Sequence, residues 1–351
     1  MRICVRIWLA VGLALVACHS ASAGDIHPLR KEREIMVERA LRYLSGQVAD
    51  GRLGDSRPKA VSALYILAAL SAGVEPGEGP VGVMIVEVAA WLRSQEGASL
   101  GDAEDPHADH VLASLALQQM TGEAPGRDEN LALFRKSLEA LQYSLDAQDK
   151  GMQPEYTGGW APQLQGTVNE RVLSAWFLWQ LRGAELWQVR VGRGALNRGI
   201  AFVLASQKPP DAPKPDERGG FSVGPDGLAV ASASAAGGFA LALFGEEDAR
   251  TGAALDWLNR HPPRWYGPDF FNTNVFASRA LWRARHLDDG AAFVSYFSRL
   301  TRLLRERQSG DGSFPFPPGH GGPVLAMGPS YSTAMAVLML TADFGHLPMD
   351  Q

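Results

Sequence analysis

Charged residues arrive in bursts along this chain, and within each burst the apolar residues recur every three or four positions. Residues 34–44, 84–93, 131–145, 195–204, 253–258 and 292–307 read this way, as helices with one wet face and one apolar stripe. After each burst comes a stretch that is apolar on nearly every side: residues 62–70, 111–117, 173–179, 231–243, 274–281 and 332–340. A helix without a wet face has to be buried. Six amphipathic helices alternating with six apolar ones predict an all-α fold of six helix pairs, the apolar members inside and the amphipathic ones covering them. The period-two alternation of Val, Ile and Thr that would argue for strands is scarce.

The connections repeat as well. Gln308-x3-Gly312-x-Phe314 leads into the last apolar stretch, and Gln47-x3-Gly51-x-Leu53 leads into the first with the same spacing. Gln95 opens a degraded copy, Gln148 precedes Gly158-Gly-Trp160, Gln207 precedes Gly219-Gly-Phe221, and Asn259 with Trp265 is the poorest copy. Six units spaced by roughly 40 to 60 residues fall in the range of helical-pair repeats. A glycine after the outer helix can take the left-handed conformation that stops it, and the large apolar residue two positions on can pack back across the turn. These turns are expected to serve stability. Residues 208–218, rich in proline and charge, read as an exposed insertion and not a domain linker, because the repeat resumes at Gly219.

These motifs resemble known ones. Gln308-x3-Gly312-x-Phe314 is similar to the Gln-x3-Gly-x-Trp motif of squalene-hopene and oxidosqualene cyclases, with Phe in place of Trp, and Gly219-Gly-Phe221 resembles the turns of protein prenyltransferase β subunits. Across residues 36–351 the chain resembles exported bacterial proteins that carry prenyltransferase/squalene oxidase repeats. The resemblance implies an α6/α6 toroid of the terpenoid cyclase and protein prenyltransferase type. It says little about activity, because such folds host many chemistries.

Composition adds the compartment and removes some partners. Arg2 and Arg6, the apolar residues 7–16 and the small residues Ala21-Ser-Ala23 form an export leader. Leu15-Val-Ala-Cys18 also resembles a lipobox, so cleavage is expected after Ala17 or Ala23, with Cys18 a candidate for lipidation. Residues 24–351 then form one domain, exported to the periplasm or lipid-anchored in the envelope. Loss of the two leader arginines moves the net charge from −5 to −7. That disfavours nucleic acid as a partner, and any membrane contact is expected only through the lipid anchor. Both cysteines, Cys4 and Cys18, belong to the leader region. The mature chain therefore lacks the thiolate of zinc prenyltransferases, and the Asp-x-Asp-Asp run of squalene-hopene-type cyclisation is also missing. No cofactor or metal is expected, and the chain is expected to be a monomer.

In a toroid the loops entering the inner helices face one end, so distant polar residues converge there. Those loops carry Asp50, Asp55, Arg57, His107, Asp109, His110, Asn169, Glu170, Asp226, Asp269, His320 and Tyr331. Asp109 and His110, within His107-Ala-Asp-His110, form the sharpest polar cluster. They are candidates for acid–base work or zinc, with Asp109 as a helix N-cap in the plainer reading. Glu170 is a third candidate acid or base, or alternatively a carboxylate satisfied by the first turn of its own helix. Trp160, Trp176, Phe221, Trp265, Tyr266, Phe316, His320 and Tyr331 are candidates for an aromatic ligand pocket, each with core packing as the alternative. The expected function is binding of an apolar, glycan or peptide ligand in a central cavity without the catalytic groups of the cyclases and prenyltransferases. The alternatives are a terpenoid-cyclase-like or lyase/hydrolase enzyme and an envelope interaction module.

Overall fold

The computed structural model describes residues 27, 29–54, 56–101, 106–148, 157–162, 170–224, 227–245, 248–320 and 323–347. The leader with Cys18, and Asp55, Asn169 and Asp226, lie outside the described residues. Among the described residues twelve long helices pair in chain order and no strand forms; three isolated bridges are the only extended pairings there. The pairs are α1 (Arg30–Ser45) with α2 (Pro58–Ser71), α3 (Gly79–Arg93) with α4 (Pro106–Met120), and α5 (Arg127–Ala147) with α6 (Arg171–Leu186). They continue as α7 (Arg193–Leu204) with α8 (Ala231–Phe244), α9 (Asp248–Arg260) with α10 (Phe270–Arg283), and α11 (Ala291–Arg305) with α12 (Gly328–Leu340).

Each even-numbered helix packs on the next, and α12 packs on α2, so the six apolar helices close into a ring. The odd-numbered helices form the outer layer: α1 lies against α12 and α2, and α3, α5, α7 and α9 each lie against two adjacent inner helices in the same way. The fold is thus an α6/α6 toroid, as the apolar periodicity predicts. Burial follows the sequence pattern closely. Residues 60–71 of α2 and 330–340 of α12 are buried throughout, whereas α11 buries a stripe that includes Phe293, Tyr296, Phe297, Leu300 and Leu304.

The repeated turn motif is the closure device. Gln148 Nε2 donates to Gly158 O at 2.7 Å and to Ala195 O on α7 at 2.9 Å. Gln207 Nε2 does the same to Gly219 O (3.4 Å) and Arg250 O on α9 (2.9 Å). Gln308 Nε2 reaches Gly312 O (3.1 Å) and Met36 O on α1 (2.9 Å). Each glutamine therefore ties its own turn to the outer helix of the next unit, and the last ties the end of the chain to its beginning. The glycines are needed twice over. At Gly158, Gly219 and Gly312 φ is +105°, +80° and +98°, and an added Cβ would lie 2.4, 2.2 and 2.4 Å from the carbonyl oxygens of Arg198, Ala253 and Arg39.

The large residue after each turn is held through its N–H. Leu53, Trp160, Phe221 and Phe314 donate to Ser62 Oγ, Ser174 Oγ, Ser234 Oγ and Thr333 Oγ1, at 2.9, 3.1, 2.8 and 2.9 Å. In the second unit Leu100 N donates to His110 Nδ1 at 3.0 Å. His110 thus stands where the other units place a hydroxyl.

The middle of the ring is filled. Arg279 of α10 donates to Leu338 O on α12 (2.7 Å) and to Ser71 Oγ on α2 (3.2 Å), and its guanidinium lies 5.0 Å from the centroid of the Trp179 ring on α6. A side chain that touches three other inner helices occupies the axis. Trp176, Trp179, Phe239 and Phe276 pack beside it with ring centroids 4.9 to 5.3 Å apart. Burying each such ring contributes about 1.5–3 kcal/mol. The cation sits toward the C-terminal ends of α2 and α12, where helix carbonyls concentrate negative partial charge. The expectation of a hollow at the centre is corrected here: large side chains on α6, α8 and α10 reach across and pack the axis among the described residues.

Candidate functional site

The sequence candidates separate into two groups once placed on the ring. Asp109 and His110 are fully buried in α4, with Asp109 four residues into the helix and not at its cap. Asp109 Oδ1 accepts from Arg57 Nε at 2.8 Å and also from Arg57 Nη2, a buried ion pair between the entries of α2 and α4. His110 Nε2 lies 3.1 Å from Ala140 O and 3.0 Å from Ser144 Oγ, and the ring sits against Tyr143 at 4.5 Å. Because Nδ1 accepts from Leu100, Nε2 carries the proton. Burial pushes the imidazole down to about 3, so it is neutral at ordinary pH. His107 Nδ1 is 2.6 Å from Ala161 O. His320 lies in the loop before α12, against Phe271 and Gly267, and does not join this cluster. No group of three or more metal-ligating side chains occurs among the described residues.

Glu170 caps α6. Its carboxylate accepts from Val172 N at 3.1 Å and from Leu173 N at 2.8 Å, two of the donors a helix N-terminus leaves unpaired. Trp160 is fully buried, stacked on Phe177 at 4.9 Å with Nε1 donating to Ser144 O. Phe221 is fully buried over Gly237 of α8. Trp176 is 5% exposed and bonds Asn272 Oδ1 through Nε1 (3.2 Å) at the start of α10.

The other aromatic candidates do converge, on the loops that enter α10 and α12. Phe271, which sequence reasoning missed, is their hub: Trp265, Phe316, His320 and Tyr331 present rings to it at centroid distances of 6.4, 5.8, 5.6 and 5.9 Å. The two loops are also clasped through the backbone. Gly267 N donates to Pro318 O at 2.9 Å, and His320 Nδ1 donates to Gly267 O at 3.3 Å. Burial lowers the His320 pKa, against the opposing pull of its bond to Gly267 O and of the Asp269 charge.

On the far side of that clasp lies a cleft of about 810 Å³, between the entries of α8 and α10 and off the axis of the ring. The insertion supplies Lys214, Pro215, Asp216 and Glu217; the extended entry to α8 supplies residues 228–232; the end of α9 and its loop supply Trp257, residues 261–264 and residues 266–269. Of the residues the sequence placed on these loops, Tyr266 and Asp269 line it, and Tyr266 is 71% exposed. Leu228 at the same opening is 61% exposed.

Most polar side chains around the cleft already have partners. Ser232 Oγ donates to Asp269 Oδ2 (3.0 Å), and Tyr296 Oη donates to Asn274 Oδ1 (2.8 Å) while Asn274 Nδ2 donates to Phe270 O (2.7 Å). Trp257 Nε1 donates to Asp216 O, His261 stacks on Trp257 at 3.8 Å and donates to its carbonyl, and Lys214 pairs with Glu217 at 3.0 Å. The sequence marks this cleft poorly: its walls come from three segments between residues 214 and 274, and the one repeat turn among them, Asn259 with Trp265, is the poorest copy.

No family model matches the chain, and no curated protein matches it in sequence. Solved structures do match in fold. A GH76 α-mannanase from Bacteroides thetaiotaomicron superposes with a TM-score of 0.58 at 12% identity, over 89% of this chain and 95% of that one. A polysaccharide lyase gives 0.55 at 9%, over 89% and 96%. A type II terpene cyclase from Scytonema, in complex with the product merosterolic acid A, gives 0.53 at 15%, over 91% and 98%. At such identities the likeness is one of fold: the chain shares the α/α toroid with glycosidases, lyases and terpene cyclases.

Proposed function

We propose that this chain is an exported toroid that binds an extended ligand in the cleft between α8 and α10 without turning it over. The observation that carries the reading is the cleft itself, a space of about 810 Å³ with the Tyr266 ring and Leu228 more than half exposed at its opening. A largely apolar concavity with a few placed polar groups is the usual form of a ligand site, and large apolar side chains grouped at an opening favour contact with a partner. The internal pairing of Glu217 with Lys214 and of Asp269 with Ser232 argues against a free acid–base couple. The leader residues favour export, to the periplasm or to a lipid anchor at Cys18. The similar structures include a mannanase, a polysaccharide lyase and a terpene cyclase, so this fold is used for more than one class of ligand.

A thermal-shift screen with isoprenoid alcohols, oligosaccharides and short peptides tests the reading. Ala231 lines the cleft at the exposed start of α8, so Ala231→Trp fills it. Stabilisation is expected for one ligand class, lost in Ala231→Trp and kept in Asp269→Asn. Stabilisation that survives Ala231→Trp refutes the cleft. Turnover of the stabilising compound that disappears with Asp269→Asn establishes an enzyme instead.

A further inference from the structure

We infer that the occupant of the cleft is an extended polypeptide segment that adds a strand to the entry of α8, an assignment that rests on the cleft being the ligand site. The entry is already extended. Ser222 and Ala229 form an antiparallel bridge, and Val230 N donates to Phe221 O at 2.9 Å. In an extended chain successive peptide groups point to opposite edges. With Val230 turned toward Phe221, the N–H and C=O of Ala229 lie on the other edge. Neither has a partner among the described residues, and Ala229 lines the cleft. An unpaired edge of this kind is a template for another chain.

The remaining walls favour a peptide over a glycan. A glycan is held by side chains that hydrogen-bond its hydroxyls, and here Asn274 and Ser232 are engaged internally, as is Lys214. Pro215, Pro262, Pro263 and Pro268 offer no N–H at all. The backbone edge at Ala229 and the apolar surfaces of Leu228 and Tyr266 are what the cleft presents. Two charges at the opening are exposed and unpaired among the described residues, and they are of opposite sign: Arg264 and Asp216. That pair matches a peptide carrying both kinds of charge and opposes a uniformly acidic polymer.

The test pans a phage-displayed library of random dodecapeptides against the full chain, with Ala231→Trp as the counter-selection. A fluorescein-labelled winning peptide is then measured by anisotropy, together with a series N-methylated at each backbone amide in turn. Strand addition predicts that N-methylation at the one peptide amide that donates to Ala229 O weakens binding about tenfold, the scale of one lost hydrogen bond, while its neighbours tolerate it. Arg264→Ala is expected to weaken binding several-fold. A flat N-methylation series overturns strand addition. A glycan array run alongside separates the two claims: oligosaccharide binding abolished by Ala231→Trp, with no peptide recovered, overturns the peptide assignment and keeps the cleft. Peptides that bind Ala231→Trp as well as the parent chain, or no binder of either class, overturn both.

Discussion

Acid should unfold this protein partly through one imidazole. His110 is buried and neutral because its Nδ1 must accept from Leu100 N while its Nε2 donates toward Ala140 O and Ser144 Oγ. Desolvation brings it down to about 3, whereas an unfolded histidine titrates near 6.5. As pH falls below about 6.5 the unfolded chain takes up a proton that the folded chain refuses. The stabilisation is therefore complete above that pH and declines by about 1.4 kcal/mol per pH unit, until the folded imidazole itself titrates near 3. Between pH 7.5 and pH 5.0 the expected loss is about 2 kcal/mol. The test compares urea unfolding of the parent chain and His110→Asn at both pH values, followed by tryptophan fluorescence. Asn can still accept from Leu100 but does not titrate, so the parent chain should lose about 2 kcal/mol more than the variant across this interval. Other titrating groups are common to both proteins and cancel. Equal losses would refute the assignment of a buried, proton-refusing His110.

Three further outcomes follow from the ring and its cleft. Gly312→Ala has to strain a residue at φ +98° and move the Arg39 carbonyl away from 2.4 Å, so it should cost about 1–3 kcal/mol or more in chemical denaturation. The equivalent change at Gly310, where an added Cβ meets nothing, should cost much less. Arg279→Met removes the bonds to Leu338 O and Ser71 Oγ at the axis and should lower stability by about 2–4 kcal/mol, visible as a reduced Tm. Tyr266→Ala should leave Tm nearly unchanged, because the ring is 71% exposed, while weakening any cleft ligand in a titration.

The helix pairs were legible because a helix that must be buried differs in composition from one that must cover it, as residues 60–71 and 291–305 illustrate. The Gln and Gly positions were legible for the same reason: three glutamines, Gln148, Gln207 and Gln308, repeat one geometric task. His110 was misleading as chemistry because its unit replaces a serine with an imidazole, and only the bond from Leu100 reveals the shared role. Glu170 reads equally well as acid or cap from sequence; its bonds to Val172 and Leu173 make it a cap here. The packed axis was hidden because Arg279 interrupts an apolar helix and its partners lie on α2, α6 and α12, far away in sequence. The cleft was hidden for a related reason. Residues 208–218 read as an exposed insertion, and Lys214 to Glu217 within it form one of the cleft's walls, fixed by the bond from Trp257 to Asp216 O.

A crystal structure of the chain saturated with a stabilising ligand shows directly where the ligand sits. The predicted result is ligand density between Tyr266 and the Ala229 edge, with Arg279 still stacked on Trp179 at the axis. Density between Trp176 and Trp179, with Arg279 displaced from Leu338 and Ser71, would contradict it.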